Sequence, residues 1–345
     1  MTRDETIRTE EVKDCLFCDS PGTSFYSGLT DRLFGTPGQW GFLRCRRCGL
    51  AWLNPRPIGA DVGRMYQTYY THAQRRSRND HGNLLALIRR KAKGGLYAFV
   101  SGCNELAGSW IWRQLGRPLS WVPLLRERAL MGMMCLKAAD RGKLLDLGCG
   151  NGLFLVLMRD AGWDVMGIEP DPEAAKVAQR ELGSSVMLDL EQAAFPDESF
   201  DAVTLSHVIE HVHDPVALLA ECRRVLKRGG SMVIVTPNIN SLGHHKFGSS
   251  WRGLEPPRHL HIFSRRTLLL CCHRAGLRVR SIRTSARTSG RVWQESRAIG
   301  SRGQSPGSGL RWWAELRGTL FNLREDFLCR VSPEVGEELV VVASN

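Results

Sequence analysis

The sequence predicts an α/β protein: a doubly wound parallel sheet preceded by a small metal-stapled ribbon and a helical segment. Three observations carry this. From residue 141 to 280, short apolar strand-like runs alternate with stretches of helical period, mostly closed by glycine. "CLFC" (Cys15–Cys18) and "CRRC" (Cys45–Cys48) are two cysteine pairs 26 residues apart. Between pairs and sheet, residues 61–140 are rich in tryptophan and basic side chains.

Composition bounds the alternatives. The 345 residues carry a net charge of +12, with the apolar content of an ordinary globular chain. No window reaches the ~18 uninterrupted apolar residues of a membrane span, and "MTRDETIRTEEVKD" has no apolar signal core. A cytoplasmic protein is expected. Eleven cysteines, an odd number, argue against a disulfide framework. Nine arginines face two acids, Glu295 and Glu315, between Arg278 and Arg317. A second basic group runs Arg75, Arg76, Arg78, Arg89, Arg90, Lys91, Lys93. Such charge fits nucleic acid, nucleotide-sugar phosphates, a lipid surface, or plain solvated surface.

Taken in order, residues 11–60 form the ribbon. Each CxxC pair sets two thiolates at a tight turn, and two facing turns make a closed tetrahedral site for a structural Zn²⁺ from Cys15, Cys18, Cys45 and Cys48. A module this small needs the metal to fold. Residues 61–140 read as a helical cap or linker, a lid over a neighbouring domain; peripheral membrane contact through residues 90–130, at the inner face of the membrane, is the alternative. Residues 141–345 supply the sheet. Its strands are "KLLDL", "WDVMGIE", "SSVMLDL", "FDAVTLS", "GGSMVIVTP", "LRVRSIRT" and "EELVVVASN". The Ser/Gly/Arg-rich residues 281–310 read as a mobile insertion.

The first strand ends in "DLGCGNG", which places Gly148, Gly150 and Gly152 where a strand meets its helix. Glycine there lets the backbone approach a ligand at the helix N-terminus. Asp146 lies inside the strand end, the turn is not GxGxxG, and Glu169 ends the second strand, where a carboxylate can take ribose hydroxyls. On these motifs residues 143–238 resemble class I S-adenosylmethionine (SAM)-dependent methyltransferases, a Rossmann-like family. The resemblance implies that Gly148, Cys149 and Gly150, with Gly152, line the methionine and ribose of SAM. It implies that Asp146 orients the turn or the amino group, Glu169 holds the ribose, and Asp189 and Leu190 frame the adenine.

"SHVIEHVHDP" contains the H-x-x-E-H order of inverted zinc peptidases at His207, Glu210 and His211. Asp214 is a natural N-cap and Pro215 a first-turn residue, so the helix begins after these histidines. A peptidase needs both on one established helix. The string instead resembles that of the ubiquinone-pathway O-methyltransferases, with His207 at the sheet's carboxyl edge beside the cofactor.

Methyl transfer needs an aligned acceptor and usually a base, for which histidine suits. His259, His207 and His211 are the catalytic candidates; His213 and His261 are also near, and His244 and His245 rank lower. "WRGLEPPRHLHIFS", with "NPRP" (Asn54–Pro57), resembles bacterial methyltransferases of cell-surface polysaccharide and deoxysugar pathways. There His259 falls at the base position, Arg258 replaces the expected glutamate, and Trp251 and Arg258 are substrate-binding candidates, Arg258 for a phosphate. The reading is methyl transfer to a small-molecule or carbohydrate acceptor, O- or C-methylation of a sugar or glycan precursor. The alternative is a zinc-module rRNA or tRNA methyltransferase, although "TPN" after the fifth strand lacks the Asn/Asp-Pro-Pro-aromatic tetrad of many base-methylating enzymes.

Overall fold

A computed structural model describes residues 7–66, 84–301 and 311–345. In chain order come β1 (Thr9–Glu10), β2 (Gly22–Leu29), β3 (Trp40–Cys45), β4 (Ala51–Leu53) and β5 (Arg56–Pro57). Helices α1 (Leu84–Ser101), α2 (Trp110–Leu119) and α3 (Pro123–Gly132) follow. The alternating part is β6 (Lys143–Leu147), α4 (Leu153–Asp160), β7 (Asp164–Ile168), α5 (Pro172–Leu182), β8 (Val186–Met187), β9 (Phe200–Ser206), α6 (Pro215–Val225) and β10 (Leu226–Pro237). Last are α7 (Leu242–Phe247), β11 (His261–Ile262), α8 (Arg265–Arg274), β12 (Arg278–Ser285), α9 (Ser289–Gly300), α10 (Arg311–Val331) and β13 (Glu338–Ser344).

Seven strands are hydrogen-bonded in the order β12-β13-β10-β9-β6-β7-β8, so the last strand of the chain inserts between β12 and β10. β6 runs parallel to β7 and β9, and β7 parallel to β8. The apolar run of β6 is buried after its first residue, as expected of a strand covered on both faces.

The described residues fall into two compact units. The first holds residues 7–66, His207–Ala220 and the described part of Ile234–Val341. In it β2, β3 and β4 form an antiparallel sheet that β11 extends, pairing His261 with Trp52. One core joins Trp40, Phe42 and Leu53 of the ribbon to Trp251, Leu254 and Ile262. The stretch after β10 therefore completes the ribbon's core, which alone would be too small to bury its aromatics.

The second unit holds the described residues from 84 to Ser206, with Glu221–Val233 and Val342–Asn345. Its α1 and α2 meet at glycines: a Cβ on Gly95 would lie 2.0 Å from the Trp112 carbonyl oxygen, and one on Gly116 2.2 Å from that of Gly95. Trp110 and Trp121 remain 70% and 74% exposed, while Met131, Met133 and Met134 are buried. Among the described residues no helix is long and apolar enough to cross a membrane.

One expectation needs correction. Within the segment read as a mobile insertion, residues 281–285 belong to β12 and Ser289–Gly300 forms α9. Composition suggested disorder, but Trp293 and Ser296 of α9 are buried, and Ser296 Oγ accepts from the Arg252 amide at 2.9 Å. Residues 302–310 of that segment, and Arg75, Arg76 and Arg78, lie outside the described residues.

Candidate functional site

The glycine turn belongs to the second unit. Gly148, Gly150 and Gly152 have φ of 67°, 55° and 77°, a region L-residues avoid. Glu169 holds the turn from β7: Oε2 accepts from the Gly150 amide at 2.7 Å and Oε1 from the Asp171 amide at 3.0 Å. Register sets Asp146 of β6 beside Thr204 of β9, whose hydroxyl donates to Asp146 Oδ1 at 2.6 Å. Thr204 was not singled out from the sequence. Burial, opposed by that bond and aided by Glu169, raises the Asp146 pKa to about 7. Cys149 is buried with its thiol pushed up by the same desolvation. Asp189 is exposed and caps a turn, accepting from the Gln192 amide at 2.8 Å; Leu190 is half-buried beside it.

The histidines gather in the first unit. α6 starts at Pro215, with Asp214 Oδ1 accepting from the Val216 and Ala217 amides at 3.0 and 2.9 Å. His207 and His211 thus lie ahead of the helix, as the capping signal predicts, and a peptidase arrangement does not form. His207 has φ 56°. Its Nδ1 meets Glu210 Oε1 at 3.2 Å and its Nε2 meets Glu338 Oε1 at 3.0 Å. A ring with a carboxylate at each nitrogen donates twice and is an imidazolium. Burial opposes the charge, but the bonds to Glu210 and Glu338 outweigh it and raise the pKa to about 9. Both carboxylates are held at about 2, against burial, by His207 and, for Glu338, first by Arg287. Glu210 also accepts from the Thr236 hydroxyl at 2.9 Å.

His211 differs. Its Nδ1 lies 3.1 Å from the Arg258 carbonyl oxygen and 3.0 Å from Tyr66 Oη. Donation to the carbonyl puts the proton on Nδ1 and leaves Nε2 with its lone pair. His259, edge-on to His211 with ring centroids 4.7 Å apart, is buried. Its Nδ1 donates to the Gly253 carbonyl at 2.7 Å and its Nε2 lies 3.3 Å from Glu255 Oε2. Burial brings its pKa down to about 4. Glu255, four residues earlier, is the carboxylate partner that the sequence reading found missing at position 258. Glu210, His211 and His259 each offer a ligand atom within 4.8 Å of the others, an arrangement that could hold a divalent cation. His213 is tied to the Pro57 carbonyl at 2.8 Å, and His261 is buried.

The two substrate-binding candidates are enclosed. Arg258 is 0% exposed; its Nη2 donates to Asp31 Oδ2 at 2.6 Å and Thr36 Oγ1 at 3.1 Å, and its Nε to the Met65 carbonyl at 3.2 Å. A guanidinium so placed cannot reach a phosphate in solution, which corrects the phosphate role expected of it. Trp251 is buried and its Nε1 donates to Glu337 Oε2 at 2.9 Å, so it too is core rather than a substrate wall.

At the ribbon, Cys15 Sγ and Cys48 Sγ are 3.5 Å apart, Cys18 Sγ and Cys45 Sγ 3.3 Å. All four sulfurs lie within 4.8 Å of one another. Tetrahedral Zn–S bonds of ~2.3 Å set sulfurs roughly 3.8 Å apart, so the four cysteines fit a structural Zn²⁺.

Residues 115–282 match the family model described as "Methyltransferase domain". This part of the chain is thus similar to methyltransferase domains. Over 108 residues it is 41% identical to the ubiquinone biosynthesis O-methyltransferase of Xanthomonas campestris pv. campestris, covering 29% of this chain and 45% of that one. It is 32% identical over 164 residues to the namesake from Psychrobacter cryohalolentis, covering 41% and 63%. The chain thus spans about half the length of these relatives. A solved SAM-dependent methyltransferase from Archaeoglobus fulgidus aligns with a TM-score of 0.42 and 20% identity, over 65% of this chain and 93% of that one. A SAM cofactor fits the glycine turn: buried Asp146 and Glu169 flank a backbone that bears no side chain at Gly148, Gly150 and Gly152, ahead of α4.

Proposed function

We propose that this protein transfers a methyl group from SAM to a hydroxyl of a small-molecule acceptor. The observation that carries the reading is the glycine turn with its two buried carboxyl groups, lying within residues matched to a methyltransferase family. SAM, when bound, supplies an electrophilic methyl on a sulfonium. Glu169 takes the ribose hydroxyls, Asp146 the amino group, Gly148, Cys149, Gly150 and Gly152 the methionine and ribose, and Asp189 and Leu190 the adenine edge.

His211 is the residue that removes the acceptor's proton, at Nε2. Its tautomer is fixed by the Arg258 carbonyl, whereas His207 at a pKa of about 9 holds its proton at neutral pH. His259, held at Nδ1 by the Gly253 carbonyl, positions His211 through its ring. The relatives' printed names support O-methylation; a sugar or glycan-precursor hydroxyl is the acceptor we favour within that class. Exposed Trp110 and Trp121 beside Arg113 and Arg117 support peripheral membrane contact by residues 90–130.

Methyl-deuterated SAM offered with phenolic, sugar and nucleotide-sugar acceptors tests this, with NMR of the product locating the new methyl. A methyl on oxygen is expected. A methyl on carbon or nitrogen would overturn the O-transfer reading.

A further inference from the structure

We propose that a cleft beside the second cysteine knuckle binds a small molecule bearing a diphosphate. The cleft, about 480 Å³, is lined by Arg44, Arg46, Arg47 and Arg266, with Asn240 and Ser264. A second cleft of about 590 Å³ shares Asn240, Ser264 and Arg266 and adds Arg265, Leu269, Leu270, His273 and Glu334. All of these residues belong to the first unit.

Several arginines elsewhere in this unit are matched to acids, among them Arg252 to Glu255, Arg258 to Asp31 and Arg287 to Glu338. Among the described residues the four cleft arginines have no ion-pair partner. Arg44 lies over the Phe25 ring, 5.1 Å from its centroid, while Arg46, Arg47 and Arg266 are exposed. A zinc ion with four thiolates carries two negative charges, which offsets two of the four cations and leaves two. A diphosphate balances that remainder and accepts bidentate hydrogen bonds from guanidinium groups.

The direction of α8 points the same way. Its first turn holds Arg265 and Arg266 and no acid, placing cations at the end of a helix where its dipole favours an anion. An anion seated against that turn removes the conflict. The lining favours a small molecule over nucleic acid, because neither cleft is lined by a tryptophan, tyrosine or phenylalanine on which bases could stack. Leu269 and Leu270 in the second cleft accept the organic part of the ligand.

The proposal stands apart from methyl transfer and is tested without SAM. The zinc-loaded full chain is titrated calorimetrically with UDP and with inorganic pyrophosphate. Both are expected to bind, with Arg266→Ala weakening binding by about tenfold and an Arg46→Ala/Arg47→Ala pair by more. SAM affinity is expected to stay unchanged, and Arg89→Ala/Arg90→Ala on α1 to bind UDP like wild type. Should the knuckle pair lose zinc, Arg266→Ala decides, because it lies outside the knuckle. Three results would overturn the proposal: no heat with either ligand, equal weakening by the α1 pair, or binding only to vesicles containing phosphatidic acid.

Discussion

In the cofactor site proposed above, the buried carboxyl of Asp146 makes SAM binding depend on pH. Its carboxyl is buried, bonded to Thr204 and near Glu169, and its pKa rises from 3.8 to about 7. At about 1.4 kcal/mol per unit, ionising it in the empty site costs about 4 kcal/mol more than in water. The SAM ammonium needs the ionised form. Below the folded pKa, each pH unit therefore costs up to tenfold in affinity, and from pH 7.5 to 5.5 the Kd rises about 20-fold. Near pH 6, binding releases close to one proton, read by calorimetry in buffers of different ionisation enthalpy. Asp146→Asn binds SAM more weakly at pH 7.5 and shows no such slope. A wild-type Kd that is flat from pH 7.5 to 5.5, with no proton released, would refute the reasoning.

Four other outcomes follow from the same geometry. His211→Gln should lower kcat by about 10²-fold while leaving the SAM Kd in place; unaltered turnover with saturating acceptor excludes it as the base. Glu325 and Glu337 are buried carboxyls raised first by desolvation and then by a neighbouring carboxylate, Glu337 acting on Glu325 and Glu338 on Glu337. Being raised in the fold, they favour folding at low pH, and that contribution is lost as pH rises above the usual carboxylate range. Glu325→Gln should therefore raise the Tm at pH 8.5 far more than at pH 5, and an equal shift at both would count against the buried charge. Cys48→Ser should lower zinc from about one ion per chain to near none and destabilise the first unit; a second ion per chain lost in His211→Ala would place it on Glu210, His211 and His259. Gly95→Val forces a side chain into the Trp112 backbone and should cost about 1–3 kcal/mol, visible as a lower denaturation midpoint.

What was legible in the sequence was local. Asp214 and Pro215 announce where α6 begins, the cysteine spacing announces four converging sulfurs, and the glycines after "LLDL" announce the turn they form. Partners far along the chain were not legible. Arg258 looks like a phosphate ligand until Asp31, 227 residues away, closes on it. His207 looks like a base until Glu338, 131 residues on, fixes its charge. Glu255 was hidden at shorter range, because a pairing four residues apart is a helical signal and this stretch is loop and single turns. α9 was missed because Ser, Gly and Arg weigh against order, while the burial of Trp293 that decides the matter is tertiary.

Transfer of labelled methyl tests the central claim most directly. The zinc-loaded protein is incubated with methyl-labelled SAM and two bacterial fractions, total RNA and the pool of small molecules and glycan precursors. The account predicts label in the small-molecule pool, lost in Asp146→Asn and sharply reduced in His211→Gln. Label confined to RNA, or none in either fraction while SAM is bound, would contradict it.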